Sequence, residues 1–190
     1  MRKQTITGYS NSHFVTFGCA GRRRLLNTTR SRQIVISVLG DLVDRDRVRV
    51  CGFVVMPDHV HAILWYPEGD GNHSKVMQTW KRLSSHYLTA YYQRVSPETV
   101  SLLDRSYRGT VKIWTPRFHD FTLFNPDKAR EKLTYMHQNP VKWGLAGAPE
   151  EYRWSSAPWY VQGRSVGVTI DPGLYLRLRR TDSRVRYAHP

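Results

Sequence analysis

Two histidines stand two residues apart in the run VVMPDHVHAILWY, residues 54–66. The run is otherwise rich in apolar and β-branched residues, so it predicts a strand entered through the Pro57-Asp58 turn. Residues i and i+2 of a strand project from the same face, which places His59 and His61 side by side. Two imidazoles so arranged suit one divalent cation. A strand can also carry two hydrogen-bonded histidines without a metal, so a further ligand is needed to favour the metal site.

A later helix candidate, NPDKAREKLTYMHQNPVKWG, supplies oxygen donors. Tyr135 and Asn139 are four residues apart and therefore share one helix face. The amide oxygen of Asn139 is a suitable ligand for Mg²⁺ or Mn²⁺, and a mixed nitrogen and oxygen set favours such a harder cation over a structural zinc. The same two residues also fit a packed tyrosine and an asparagine that ends the helix before Pro140. Both interpretations stay open on the residues alone.

The elements that must position these residues follow the order β-α-β-β-α-β, with one more helix after them. This order is the split βαβ, ferredoxin-like pattern. It predicts an α+β fold with an antiparallel sheet, helices on one face, a working surface on the other, and an extra C-terminal helix that carries Tyr135. The predicted strands are 13–19, 47–56, 59–66 and about 117–124, and the predicted helices are 31–46, 73–95 and 125–139.

Local signals set the expected ends of these elements. Ser31 is a candidate cap for the first helix, and Asn125 is expected to cap the third, with Pro126 at its first position. The third helix is expected to stop at Asn139-Pro140. Residues 96–110 are expected to form an exposed insertion. We expect one domain over residues 1–162 and a basic tail over 163–190.

Positive charge is the main compositional signal. The chain of 190 residues has 29 Lys and Arg against 15 Asp and Glu, a formal net charge of +14. Such a field attracts polyanions, and with 11 Tyr, 6 Trp and 6 Phe it predicts a nucleic-acid partner. Trp114 and Trp143 are candidates for stacking on bases. The candidate phosphate contacts are Arg22, Arg23, Arg24, Lys81, Arg82, Arg117 and Lys142.

Cysteine usage and apolar runs indicate the compartment. Cys19 and Cys51 form no CxxC pair, which favours reduced thiols in a cytosolic protein. No apolar run approaches the ~20 residues that span a bilayer, and the first residues lack the apolar stretch of a signal peptide. We therefore expect a cytoplasmic, nucleoid-associated protein with no membrane partner.

Three segments together resemble a known family: VMPDHVHAIL, IWTPRF and YMHQNPVKWGLAGAPEEYRWSS. They are similar to the HUH single-tyrosine transposases, whose name stands for His-hydrophobic-His, here His59-Val60-His61. Within them the Tyr-(x)3-Asn-Pro-Val arrangement, from Tyr135 to Val141, resembles the REP-associated tyrosine transposases of the IS200-like family. The resemblance covers about residues 12–160.

This resemblance implies a function and a site. His59, His61 and Asn139 would bind Mg²⁺ or Mn²⁺, and Tyr135 would be the nucleophile. The substrate would be single-stranded DNA with a hairpin, cut to give a 5′-phosphotyrosine and a free 3′-OH. The protein would act as a monomer or a homodimer.

Some residues depart from the family pattern, and other functions stay possible. Thr115 stands where many members carry Gln, residues 96–110 are longer than usual, and the segment after 163 has no clear counterpart. One alternative is a non-catalytic nucleic-acid-binding module on a ferredoxin-like sheet. Another is a metal phosphoesterase that hydrolyses its substrate with a bound water and forms no covalent adduct.

Overall fold

The computed structural model of the chain describes residues 11–172, except for 46–47, 68, 70–71, 106–108 and 165–166. The strands are β1 (Ser12–Gly18), β2 (Arg49–Val55), β3 (His59–Trp65) and β4 (His119–Thr122). The helices are α1 (Thr29–Arg45), α2 (His73–Val95), α3 (Pro97–Ser101), α4 (Pro126–Lys142) and α5 (Ala157–Gln162), with 3₁₀ turns at Ala20–Arg22 and Pro149–Glu151.

The four strands form one antiparallel sheet in the order β2-β3-β1-β4. The third strand lies between the two strands that α1 connects, as a split βαβ unit requires. The prediction of an α+β, ferredoxin-like sheet is therefore confirmed. Among the described residues, no helix combines the length and apolar character needed to cross a membrane.

Helices α1 and α2 cover one face of the sheet. Phe17 of β1 packs edge-on against Trp80 of α2, with 4.9 Å between ring centroids. The indole nitrogen of Trp80 donates a hydrogen bond of 3.0 Å to the carbonyl oxygen of Val35 in α1. These contacts pack α2 against the sheet and link it to α1, so both helices lie on one face as predicted.

Helix α4 covers part of the opposite face, next to β2. A Cβ added at Gly52 would lie 2.4 Å from Met136 Cε and 2.6 Å from Leu133 Cδ1. The helix approaches the strand this closely because Gly52 has no side chain. The face that we expected to be a working surface is therefore partly covered by the extra helix, whose Lys132 also lies over Phe14 of β1 and Phe121 of β4.

The predicted end of α4 was wrong, because the helix continues through Pro140 to Lys142. A proline inside a helix removes one N–H donor, and here the neighbouring turns hold the helix together. The helix ends in a Schellman motif: Gly144 has a φ of +66°, its N–H donates to Val141, and the N–H of Leu145 donates to Pro140. Asn139 is thereby held within the helix rather than at its end.

The two predicted caps had different outcomes. Asn125 caps α4 as predicted, since its side-chain oxygen accepts a bond of 2.9 Å from the N–H of Lys128. Ser31 does not cap α1, which begins at Thr29. The hydroxyl of Thr28 accepts a bond of 3.1 Å from the N–H of Ser31, so the cap lies three residues earlier.

Two segments differ from their predicted character. The stretch 96–110 is not wholly exposed, because it contains α3 and buries Val100 and Leu103; its residues 106–108 lie outside the described residues. In the expected tail, Ile170 is buried, and the N–H of Asp171 donates 2.9 Å to the carbonyl of Val50. The boundary at 162 stays a prediction, and residues 173–190 lie outside the described part.

Candidate metal and tyrosine site

His59 and His61 lie side by side on β3, as their spacing predicts. Their Nε2 atoms are 3.1 Å apart and their ring planes cross at 80°. Two ring nitrogens that each lie about 2.1 Å from one cation, in neighbouring positions, are separated by roughly 3 Å. The spacing and the crossed planes therefore fit two imidazoles that share a metal ion.

The other nitrogen of each ring is held by a polar partner. His59 Nδ1 lies 2.6 Å from a carboxylate oxygen of Asp58, and His61 Nδ1 lies 2.7 Å from the hydroxyl of Thr16. A carboxylate only accepts, so Nδ1 of His59 carries the proton and Nε2 has its lone pair available. Hydrogen bonds at the two Nδ1 atoms thus orient both rings, in the way that metal-binding histidines are usually oriented.

Burial keeps His61 neutral. Desolvation by burial, assisted by the proximity of His59 and by the charge of Lys132, lowers the pKa of His61 to about 3. A neutral imidazole is the form that binds a metal. Lys132 was not predicted as a site residue, although it lies three residues before Tyr135 and thus on nearly the same face of α4.

Tyr135 and Asn139 project from α4 toward the histidines. The ring centroid of Tyr135 lies 5.6 Å from that of His61, and the side chain is 43% exposed. Asn139 is only 5% exposed, and its amide nitrogen has no hydrogen-bond partner within the described residues. A buried amide without a partner is costly, and rotation of the amide group presents its oxygen instead. Asn139 therefore fits a side chain built to bind something that the protein itself does not supply.

A single cleft of about 920 Å³ connects these groups. Both histidines, Tyr135 and Asn139 line it, so the structure brings together all four residues predicted for the site. Their roles as metal ligands and nucleophile stay predictions. Sequence reasoning missed Asp58 and Thr16 as partners of the histidines; Asp58 directly precedes His59, whereas the contact with Thr16 depends on strand pairing.

Three of the seven predicted phosphate contacts lie at this cleft. Arg22 and Arg117 line it, and the ammonium of Lys142 lies 5.5 Å from the ring centroid of Tyr135. Lys132 adds a further ammonium at 5.9 Å from the same ring. Four positively charged side chains therefore lie around the cleft that contains Tyr135.

The remaining four lie elsewhere. The ammonium of Lys81 donates bonds of 2.8 Å to the carbonyls of Thr115 and Pro116, and burial lowers the pKa of this lysine. Arg82 borders a separate groove, Arg23 donates to the carbonyl of Leu102, and Arg24 is exposed beside the first 3₁₀ turn. Whether these four residues contact DNA stays a prediction.

The two candidate stacking residues differ sharply. Trp114 is buried, and its indole nitrogen donates 3.0 Å to the hydroxyl of Ser84, so its prediction as a stacking surface was wrong. It is a core residue because it packs edge-on against Phe17. Trp143 is 56% exposed, lines the cleft and lies 6.1 Å from His59, measured between ring centroids.

A second histidine group lies on the face of the sheet that α1 and α2 cover. His13, His73 and Asp120 have ligand atoms that all lie within 4.8 Å of one another, and such a group is able to hold a metal ion. Sequence reasoning missed it. His13 and Asp120 are 107 residues apart, and their proximity depends on the pairing of β1 with β4.

Comparison with known proteins decides the family. Residues 8–123 match the family model described as "Transposase IS200 like". The chain belongs to this family. The matched range contains all four strands and the histidine pair, and it ends before α4. The resemblance predicted from the three motifs, and with it the class of transposase enzymes, is confirmed.

Individual relatives agree with this assignment. A REP-associated tyrosine transposase of Escherichia coli strain K12 is 27% identical over 144 residues, which are 75% of this chain and 74% of that protein. A solved structure of a REP-associated tyrosine transposase bound to a REP hairpin superposes with a TM-score of 0.62. It has 24% identity and covers 90% of this chain and 91% of that one, so it supports the fold.

Proposed function

We propose that this chain cuts and rejoins single-stranded DNA next to a folded hairpin, through a covalent bond between Tyr135 and a 5′-phosphate. The observation that carries the proposal is the convergence of His59, His61, Tyr135 and Asn139 in one cleft. The hairpin is proposed because the solved relative described above is bound to one.

His59, His61 and Asn139 are the residues that would hold Mg²⁺ or Mn²⁺. When bound, the cation would withdraw charge from a non-bridging phosphate oxygen and orient the phosphate for attack. The orphaned amide of Asn139 and the aligned Nε2 atoms support this assignment.

Tyr135 performs the covalent step in this proposal. Its oxygen forms a bond to phosphorus while the bond from phosphorus to the 3′-oxygen breaks; the phenol loses its proton and the 3′-oxygen gains one. A phenolate, with a pKa of ~10, leaves phosphorus more readily than an aliphatic alkoxide. The 3′-OH can therefore reverse the reaction without ATP, which is what rejoining requires.

The surrounding residues bind and orient the DNA. Lys132 and Lys142 place positive charge beside Tyr135, where an approaching phosphate must lie. Arg22 and Arg117 extend this charge along the cleft, and the exposed ring of Trp143 offers a base a surface for stacking. Tyr135 reaches the histidines of its own chain, with 5.6 Å between its ring centroid and that of His61, which supports a site that a monomer completes by itself.

The test is a gel assay for a covalent protein–DNA adduct, with a labelled single-stranded hairpin and Mg²⁺ or Mn²⁺. We expect the native protein to form the adduct. The control variant Tyr87→Phe, which removes the hydroxyl of an exposed tyrosine in α2, is expected to form it as well. Tyr135→Phe is expected to bind the hairpin and form no adduct. An adduct with Tyr135→Phe would overturn the proposal. Cleavage without any adduct would favour a phosphoesterase, and binding without cleavage a binding module.

A further inference from the structure

We propose that His13, His73 and Asp120 form a second divalent-cation site, suited to a borderline ion such as Zn²⁺. His13 Nδ1 lies 2.9 Å from one carboxylate oxygen of Asp120, and His73 Nε2 lies 3.2 Å from the other. Two imidazoles with one carboxylate are a donor set that zinc and similar ions use in proteins.

This group is separated from the cleft by the sheet. Phe14 stacks on His61, and its neighbour His13 must point to the opposite face because adjacent strand residues alternate. His13 accordingly stacks on His73 of α2, with 3.9 Å between ring centroids. A cation bound here would share no ligand with the His59–His61 pair, so the inference stands independently of the proposed DNA chemistry.

The surroundings of the group favour a bound ion over three ordinary surface residues. Both rings are buried, whereas the side chain of Asp120 is 34% exposed and leaves an entry side where water can complete the coordination. The hydroxyl of Tyr66 lies 2.9 Å from Nδ1 of His73 and so directs Nε2 of that ring toward the carboxylate.

The ring orientation sets the expected affinity. The two rings are nearly parallel, at 13°, so both nitrogens bind one ion only after the rings tilt apart. At the His59–His61 pair the planes already cross at 80°. Because opening a stack costs free energy, we expect the second site to bind more weakly than the first.

The ligands come from β1, from the first turn of α2 and from β4, so a bound ion would join three elements. All four residues of β4 are exposed, and β4 is an edge strand. A cation at Asp120 would fasten this strand, whose neighbouring residues His119 and Arg117 line the cleft on the other face. The site would therefore be structural and would stabilise one wall of the cleft.

The experiment counts zinc on the full-length protein. Protein stripped with a chelator is titrated with Zn²⁺, desalted and measured by elemental analysis, with the melting temperature recorded in parallel. We expect two zinc ions per chain, one in Asp120→Asn, one in the His59→Gln/His61→Gln double variant, and none when all three changes are combined. His86→Gln removes an exposed histidine of α2 and is expected to keep two.

The result that would overturn the inference is a zinc count that stays unchanged in both Asp120→Asn and His73→Gln, or a native protein whose zinc is wholly lost in the double variant. Asparagine keeps the size of Asp120, and circular dichroism checks that its variant is folded. If Asp120→Asn melts below the assay temperature, His73→Gln replaces it, and the same count decides.

Discussion

The two histidine groups of this protein lie on opposite faces of one sheet and differ in how their rings meet. On the cleft face His59 and His61 cross at 80°, which points two ring nitrogens toward a common position. On the helix-covered face His13 and His73 stack at 13°, which points both rings toward the carboxylate of Asp120. The first arrangement is ready for a metal ion, whereas the second must open before it can bind one.

Each histidine group has a tyrosine beside it, and the two tyrosines differ in whether a substrate can reach them. Tyr135, next to His61, is 43% exposed and has two lysines around its ring. Tyr66, hydrogen-bonded to His73, is 2% exposed and beyond the reach of a phosphodiester. Of these two groups of described residues, the one at the cleft therefore combines candidate ligands with a nucleophile that DNA can approach.

The largest expected effect comes from exchanging one histidine on each face. His61→Gln is expected to lower the rate of adduct formation at least about 100-fold, because it removes a candidate metal ligand. His73→Gln is expected to change that rate by less than threefold, since it leaves the cleft residues in place. Single-turnover assays on the labelled hairpin, below the melting temperature of each variant, measure both rates. Equal losses in the two variants would mean that the faces are not functionally distinct.

Period and spacing predicted the two residue pairs of the cleft group, each within its own element, and the resemblance of the three motifs to a known family joined them into one site. Alternation in β3 placed His59 and His61 together, and the helical spacing placed Tyr135 over Asn139, although the helix was wrongly ended at Pro140. Both rules act within one element, where the backbone geometry is fixed.

The helix-covered group could not be found in this way. It depends on which residue of β4 lies next to β1, and nothing local in the sequence sets that register. The same limit explains Trp114, whose aromatic ring suggested a stacking surface until the core around Phe17 was known. Burial and pairing between distant strands are properties of the whole fold.

Acid should destabilise the fold through two buried, neutral histidines. Burial lowers the pKa of His137 to about 3, as it does that of His61. Between the ordinary pKa of 6.5 and about 3, the unfolded chain binds protons that the folded chain does not. Stability is thus fully present above pH ~6.5 and falls as the pH drops, by about 1.4 kcal/mol per pH unit for each histidine.

Denaturant titrations at several pH values, with a chelator present, measure the slope of the unfolding free energy against pH. His137→Asn is expected to make it shallower by the contribution of one proton, even though it weakens the buried bond to Ser156. His86→Gln, at an exposed position, is expected to leave the slope unchanged. If the slope of His137→Asn matched that of the native protein, burial of His137 would not be a source of acid sensitivity.

The close approach of α4 to the cleft side of the sheet gives a smaller effect. Gly52→Ala would press a methyl group against Met136 and Leu133, and overpacking of this kind costs about 1–3 kcal/mol. Because α4 carries Tyr135, we also expect slower adduct formation. Gly40→Ala is the matched control: its methyl group would lie 3.6 Å from the carbonyl oxygen of Gly167, an ordinary contact, and alanine is favoured within a helix. Urea unfolding compares the two, and equal stability would show that α4 moves away freely.

The smallest effect is expected from a single positive charge beside the tyrosine. Lys142→Gln should weaken binding of the single-stranded hairpin a few-fold and reduce the slope of log affinity against log salt by about 0.7, if this lysine neutralises one phosphate. Lys128→Gln removes the same charge from the first turn of the same helix, where the lysine is paired with Glu131. Fluorescence anisotropy at several salt concentrations measures both. Equal losses of affinity and of salt dependence in the two variants would mean that the net charge of the protein attracts the DNA. The phosphate backbone would then not bind specifically beside Tyr135.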